Sequence, residues 1–248
     1  MVGMVTAMPQ VRQSSTGTTG VNKLVAHAFG VRLVSDVPER LCRWGIAPRL
    51  DAKRRERLSR IRERGVLFVH VPKNAGTSVS HMLYGTQVKH ATARYYAKVA
   101  PGMLDLPSFA VVRDPVERFL SAFAYARTGG TRDRIVSEPF RGRYEAFRDV
   151  DCAIAHLQRA RSPFHLDHIF RPQAWYLQGP DGALAVDRLV PYDRLDEIAD
   201  MPGLERLGGI PRLNTSKRRA CGLSERQEAF VRDFYAADCD LFAWACAG

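Results

Sequence analysis

The stretch VLFVHVPKNAGTSVSHMLY, Val66 to Tyr84, decides how this chain is read. Val66 to Val71 is a short, nearly continuous apolar run rich in valine, as in a buried strand. Pro72 stops strand pairing because it has no N–H to donate. Asn74 and Gly76 permit a tight turn, and Thr77 or Ser78 is expected to cap a helix through Met82 and Leu83. A strand, tight loop and helix in this order point backbone N–H groups and a helix N-terminus at an anion. Lys73 adds a positive charge, and the two hydroxyls add donors. The stretch reads as a phosphate cradle; the plainer alternative is a strand-to-helix turn with a surface lysine.

The order of residues departs from the common nucleoside-triphosphate loop, in which lysine follows the second glycine. Here Lys73 precedes Gly76, and no strand-end Asp stands out as a magnesium partner. A second informative stretch is Ser108 to Arg127, SFAVVRDPVERFLSAFAYAR. Phe109 to Val112 predicts another buried strand. Asp114, Pro115 and Glu117 form an N-cap, a first-turn proline and an N3 glutamate. Val116, Phe119, Leu120 and Phe123 then repeat as one core-facing stripe. Arg113 is left where the strand ends, at the edge where open parallel sheets bind ligands. Ser121 lies about two turns into the helix and off the stripe. An arginine and a hydroxyl converging there suit a phosphate; pairing of Arg113 with Asp114 or Glu117 is the alternative.

With 248 residues, 46% hydrophobic and 25% charged, the chain can bury a large core. The expectation is a Ser/Thr/Gly-rich disordered segment over 1–20 followed by one α/β domain over 21–248. The net charge of +11 favours an anionic partner: a nucleotide, an acidic glycan, nucleic acid or an anionic membrane surface. Five scattered cysteines without a CxxC pair suggest neither a disulfide framework nor a zinc site. No apolar stretch approaches the roughly 20 residues of a membrane span, and no secretory pattern is visible. A cytoplasmic protein without a transmembrane segment is expected, with peripheral membrane contact still open. Arg49 to Arg64 predicts a basic helix with Leu50, Leu58 and Ile61 as its apolar contacts and the rest a solvated face.

In combination, strand–PKxxGTS–helix followed by strand–RDPxxRxxSxF resembles the paired loops of sulfotransferases that use 3′-phosphoadenosine 5′-phosphosulfate (PAPS). The similarity is to the carbohydrate and heparan-type O-sulfotransferases, the family 2-like branch, and runs over about residues 65–243. HIFRPQAWYL (His168 to Leu177) is similar to the branch's HxxRPQ segment. PYDRLDEI (Pro191 to Ile198) stands where an aromatic–acidic loop is expected, with Tyr192-Asp193 replacing the usual Phe-Glu. GGIPRLNTSKRR (Gly208 to Arg219) and FYAADCDLF (Phe234 to Phe242) resemble the later segments.

The resemblance implies an α/β, P-loop-like three-layer sandwich with a mainly parallel central sheet and helices on both faces. It implies PAPS as donor, no metal, and transfer to an acceptor hydroxyl, on a carbohydrate or glycolipid. Lys73, Asn74, Ala75, Gly76, Thr77 and Ser78 would surround the 5′-phosphosulfate, and Arg113 and Ser121 the 3′-phosphate. Lys217 and Arg218 would close over the nucleotide, and Lys73 would offset charge on the leaving oxygen. The acceptor hydroxyl needs a base titrating near neutrality, which favours histidine. His90 is the first choice and His168 the second, while His70 is assigned to structure. Arg171 and Gln173, with Arg127, Arg132 and Arg134, are expected to line an acceptor cleft. The rival readings are an ATP-dependent small-molecule kinase, and a non-catalytic basic protein on nucleic acid or an anionic surface. No known nucleic-acid module appears in the sequence.

Overall fold

The two apolar runs become neighbouring strands. The computed structural model describes residues 20–131, 134–201, 204 and 222–247. Strands β1 (Leu67–Phe68) and β2 (Ser108–Val112) pair in parallel. After a short antiparallel hairpin of β3 (Gly130–Thr131) and β4 (Arg134–Ile135), β5 (Arg188–Pro191) pairs in parallel with β2 on its other side. All five residues of β2 are buried, which is why this central strand is continuously apolar.

Helices surround this sheet. α1 (Gly20–Ala28) and α2 (Val37–Arg43) form an N-terminal arm, and α3 (Ala52–Arg64) precedes β1. α4 (Gly76–Tyr84) and α5 (Ala93–Val99) fill the crossover to β2, and α6 (Pro115–Arg127) leaves it. α7 (Glu138–Glu145), α8 (Val150–Gln158) and α9 (Gln173–Leu177) lead to β5; α10 (Glu225–Phe234) and α11 (Ala236–Ala247) follow, α11 packing on β5 and β2. The chain is thus α/β with a parallel sheet, a P-loop-like sandwich. None of the helices in the described residues is long and apolar enough to cross a membrane.

Local chemistry explains the starts of several of these helices. Asp114 accepts from the N–H of Glu117 and Asp51 from that of Arg54, so α6 and α3 carry side-chain caps. α4 differs from expectation. Its N-cap is Ala75, in left-handed backbone at φ 57° with no side-chain cap, and Thr77 and Ser78 sit inside the first turn. The Phe119 and Phe123 stripe of α6 packs with Tyr144, Phe147, Phe170 and Tyr235 into a second apolar cluster beside the sheet core. Residues 1–19 and the expected nucleotide-closing pair Lys217 and Arg218 lie outside the described residues, as does Arg132.

Two residues expected to face an acceptor are instead enclosed. Arg171 and Gln173 are both at 0% exposure. A buried guanidinium needs a counter-charge and acceptors, and Arg171 finds Asp36 of the N-terminal arm, with the carbonyls of Pro163 and Leu166. Gln173 takes its backbone position from Asp238, whose Oδ2 accepts from Gln173 N–H at 2.8 Å while Oδ1 accepts from Ala174 N–H at 2.8 Å. Behind it, Arg118 at 1% exposure lies 3.6 Å from Asp238 and donates to the carbonyls of Ile169 and Arg171.

Truncating Asp238 strands the Arg118 guanidinium and leaves two backbone donors unpaired. Asp238→Ala should lower unfolding free energy by about 3 kcal/mol or more, read from urea unfolding. A loss below about 0.5 kcal/mol, the size of an ordinary surface substitution, would show that the network does not hold α9 in place.

Candidate active site

The strand ends of β1 and β2 run into the two loops singled out by the sequence, and both lie at the carboxyl edge of the sheet, where open α/β folds bind ligands. In the first loop Lys73 and Ala75 take positive φ, 71° and 57°, while Asn74 and Gly76 do not. Alternating hand of this kind turns successive backbone N–H groups toward one concavity, an anion-binding nest. Non-glycine residues held in left-handed backbone cost of order 1 kcal/mol each, so the surrounding structure must enforce them. Asn74 shows how: it is 1% exposed, and its Nδ2 donates to the carbonyl of Val111 at 2.8 Å and to Oε1 of Gln173 at 2.6 Å. Its Oδ1 is buried and has no hydrogen-bond partner. Asn74 therefore serves the loop through its anchored side chain. Gly76 is a steric requirement: a Cβ there would fall 1.9 Å from Cδ2 of His70.

The same Gln173 fixes the second loop. Its Oε1 accepts from the N–H of Arg113 at 3.0 Å, and its Nε2 donates to the carbonyl of Arg113 at 2.8 Å. The Arg113 guanidinium stacks on Tyr192 at 4.5 Å and pairs with Glu117 at 3.0 Å, as the plainer sequence reading allowed. Lys73 Nζ rests 4.3 Å from the centre of the Tyr125 ring. Burial and the neighbouring Arg113 lower the Lys73 ammonium to about 8. Glu117, Ser121 and Tyr125 follow at helical spacing on one face of α6. Glu117 holds Arg113 and Tyr125 holds Lys73, so half-buried Ser121 lies between the two cations' contacts.

Beyond the cradle runs a row of histidines. His70, whose ring covers Gly76, meets His90 edge-on at 4.2 Å, and His90 meets His168 at 5.7 Å. His90 and His168 both line a cavity of about 290 Å³ with Asp36, Glu39, Tyr95 and Tyr96. Their hydrogen bonds give them different chemistry. Nδ1 of His90 faces the carbonyl of His70 at 3.3 Å; a carbonyl only accepts, so Nδ1 carries the proton and Nε2 keeps its lone pair. Nδ1 of His168 accepts from Arg171 at 3.2 Å, which puts the proton of the neutral ring on Nε2, 4.0 Å from Asp36. Burial, Arg171, His90 and Lys89 hold His168 well below the ordinary histidine value, so it is neutral. A neutral His168 with Nε2 protonated is a donor. His90 is the one of the pair oriented as a base.

Two cavity carboxylates escaped the sequence reading because their arm showed no periodicity. Asp36 balances Arg171. Glu39, 8% exposed, accepts from the N–H of Thr92 at 2.9 Å and from its hydroxyl at 2.7 Å. The remaining expected acceptor arginine with a described side chain, Arg127, stacks on Phe123 at 5.5 Å. Among the described residues no group of His, Cys, Asp and Glu is arranged to hold a metal.

Residues 58–178, just under half of the chain, match the model of the sulfotransferase family. No curated protein and no solved structure gives a significant match.

Glu39 makes a pH signature. Burial is the largest influence on it and raises its carboxyl from 4.5 to about 7. Between those values the unfolded chain releases this proton and the folded chain keeps it. Its contribution to stability therefore falls as pH rises through that window and is flat above it, a total of about 3 kcal/mol. Relative to wild type, Glu39→Gln should gain stability between pH 5 and pH 8 by an amount approaching that figure, measured by urea unfolding at both pH values. A difference between the two proteins that does not change with pH would exclude an elevated Glu39.

Proposed function

Since the chain belongs over residues 58–178 to the sulfotransferase family, we propose that it transfers the sulfuryl group of PAPS to an acceptor hydroxyl on a carbohydrate or glycolipid. The observation that carries this reading is the adjacency of two sites through one ring: His70 covers Gly76 of the anion cradle and touches His90 of the cavity. A donor held on one side and a hydroxyl held on the other would meet there.

The residues present fit a donor with two anionic ends. Lys73 and the N–H groups of residues 73–77 suit the sulfated 5′ end, and Arg113 with Ser121 the 3′-phosphate. PAPS, when bound, supplies an activated sulfuryl group. Lys73 would offset the charge that develops on the oxygen the sulfuryl group leaves. Nε2 of His90 takes the proton of the acceptor hydroxyl, while Nδ1–H remains on the His70 carbonyl. His168 offers its Nε2–H to the acceptor and helps orient it. Lys73 leaves the Tyr125 ring for the donor, exchanging a cation–π contact for a full ion pair.

The test is a thermal titration with 3′-phosphoadenosine 5′-phosphate (PAP) against AMP, ADP and ATP–magnesium. Selective stabilisation by PAP is expected, of about 2.7 kcal/mol at 100 times the dissociation constant, and its loss in Lys73→Ala and Arg113→Ala. His90→Ala should keep PAP binding and lose transfer. Preference for ATP–magnesium would replace this reading with a kinase, and no response to any nucleotide would leave a basic binding protein.

Lys73 adds a pH test. With an ammonium lowered to about 8 in the free protein, binding an anion restores the proton. Affinity for PAP should fall by up to tenfold per pH unit above pH 8 and be less dependent on pH below it. Calorimetry in buffers of different ionisation enthalpy should show proton uptake near pH 8.5. Lys73→Met should abolish that uptake; unchanged uptake would assign it to another group.

A further inference from the structure

The cavity beside the cradle has three cations in its lining. Asp36, balanced by Arg171, and Glu39, held by Thr92, line it too, but the first is ion-paired and burial raises the second to about 7. Arg54 and Arg57 of α3 and Lys89 of the loop after α4 line the same cavity. The sequence reading left α3 as a solvated face, yet two of its arginines turn over this opening.

These cations are poorly balanced. Arg54 has Asp51 at 3.3 Å, and that carboxylate is 59% exposed. Among the described residues no ion pair includes Arg57 or Lys89. Burial and the nearby Arg57 and Arg54 lower the Lys89 ammonium, as expected where cations gather. Like charges around one opening repel, and an entering anion removes that cost. The cavity's volume, about 290 Å³, is at the bottom of the range for small-molecule sites. Tyr95 and Tyr96, at 8% and 3% exposure, wall it with rigid rings.

Building on the sulfotransfer reading above, we propose that this cavity takes a small, ring-sized hydroxylated acceptor bearing an oxyanion, a phosphate ester or carboxylate. The anionic group sits on Arg54, Arg57 and Lys89, and the reacting hydroxyl points toward His90. The reverse orientation would leave these three cations without the anion, so they select the orientation as well as the ligand. Arg54 and Arg57 precede the stretch that matches the family, as do Asp36 and Glu39. Acceptor choice therefore depends on parts of the chain outside that stretch.

The experiment is equilibrium calorimetry of glucose 6-phosphate, glucuronate and glucose on the full chain saturated with PAP. At least one anionic sugar should bind about tenfold or more tightly than glucose. A larger advantage for the first supports a phosphate ester, and for the second a carboxylate. The Arg57→Gln/Lys89→Gln double variant should lose the advantage while its thermal stabilisation by PAP stays unchanged. Equal affinity for charged and neutral sugars, or an advantage untouched by the double variant, overturns the anion subsite and leaves the donor reading standing. Failure of PAP to stabilise wild type strikes the donor reading instead; the sugars are then titrated without it, and the charge comparison still decides the subsite. A glucuronate oligomer binding more than tenfold tighter than the monosaccharide overturns the ring-sized limit.

Discussion

One primary amide, that of Gln173, sets the geometry on which the candidate site depends. Its oxygen accepts from Asn74 and from the backbone of Arg113, and its nitrogen returns a bond to the Arg113 carbonyl. The loops after β1 and β2 are thereby held to a common point, and Asn74 adds a second tie to the Val111 carbonyl of β2. The pairing of two short parallel strands would not by itself fix where Lys73 lies relative to Arg113. The backbone that carries this amide is fixed in turn by Asp238, and Asp238 by Arg118, so the precision of the two loops derives from a fully enclosed polar network. In a low-dielectric interior such a network is strong when complete and costly when any member is lost.

The parts of this arrangement legible in the sequence are those determined locally. The strand-to-helix turn at Pro72 to Gly76 and the Asp114–Pro115–Glu117 helix start announce themselves through turn and capping chemistry, and the α6 stripe through its period. What stayed hidden depends on contacts distant in sequence. Arg171 and Gln173 read as acceptor contacts because a charge or amide in a polar segment usually faces water. The partner that buries Arg171 is Asp36, 135 residues away in an arm with no pattern. Ala75 as a left-handed N-cap was equally invisible, since the strain is enforced by the Asn74 anchor beside it and not by the residue itself.

The choice between two histidines shows what geometry adds to residue type. Composition makes His90 and His168 equivalent, and both face one cavity. A carbonyl against one Nδ1 and a guanidinium against the other assign opposite tautomers, and with them opposite roles. Arg171 is the source of the difference. It neutralises Asp36, adds to burial in keeping His168 uncharged and fixes its proton on Nε2, so a fully enclosed residue determines which neighbour can accept a proton.

The molecule's division of labour follows from where these residues lie. The stretch from 58 to 178 contains the cradle, Arg113, Ser121 and both cavity histidines, the groups to which the proposed transfer assigns the donor and the base. The ionisable side chains of the cavity wall come from Asp36, from Glu39 of α2 and from Arg54 and Arg57 of α3, all before that stretch, and from Lys89 within the crossover. A hydroxyl presents too little chemistry for an enzyme to choose among acceptors by the reacting group alone. Selection would have to act on what surrounds the hydroxyl, which is the role proposed above for Arg54, Arg57 and Lys89. On that proposal the cavity wall and the Gln173 tie are built from different side chains, and the Asp36–Arg171 pair joins them, because Arg171 also gives its carbonyl to Arg118.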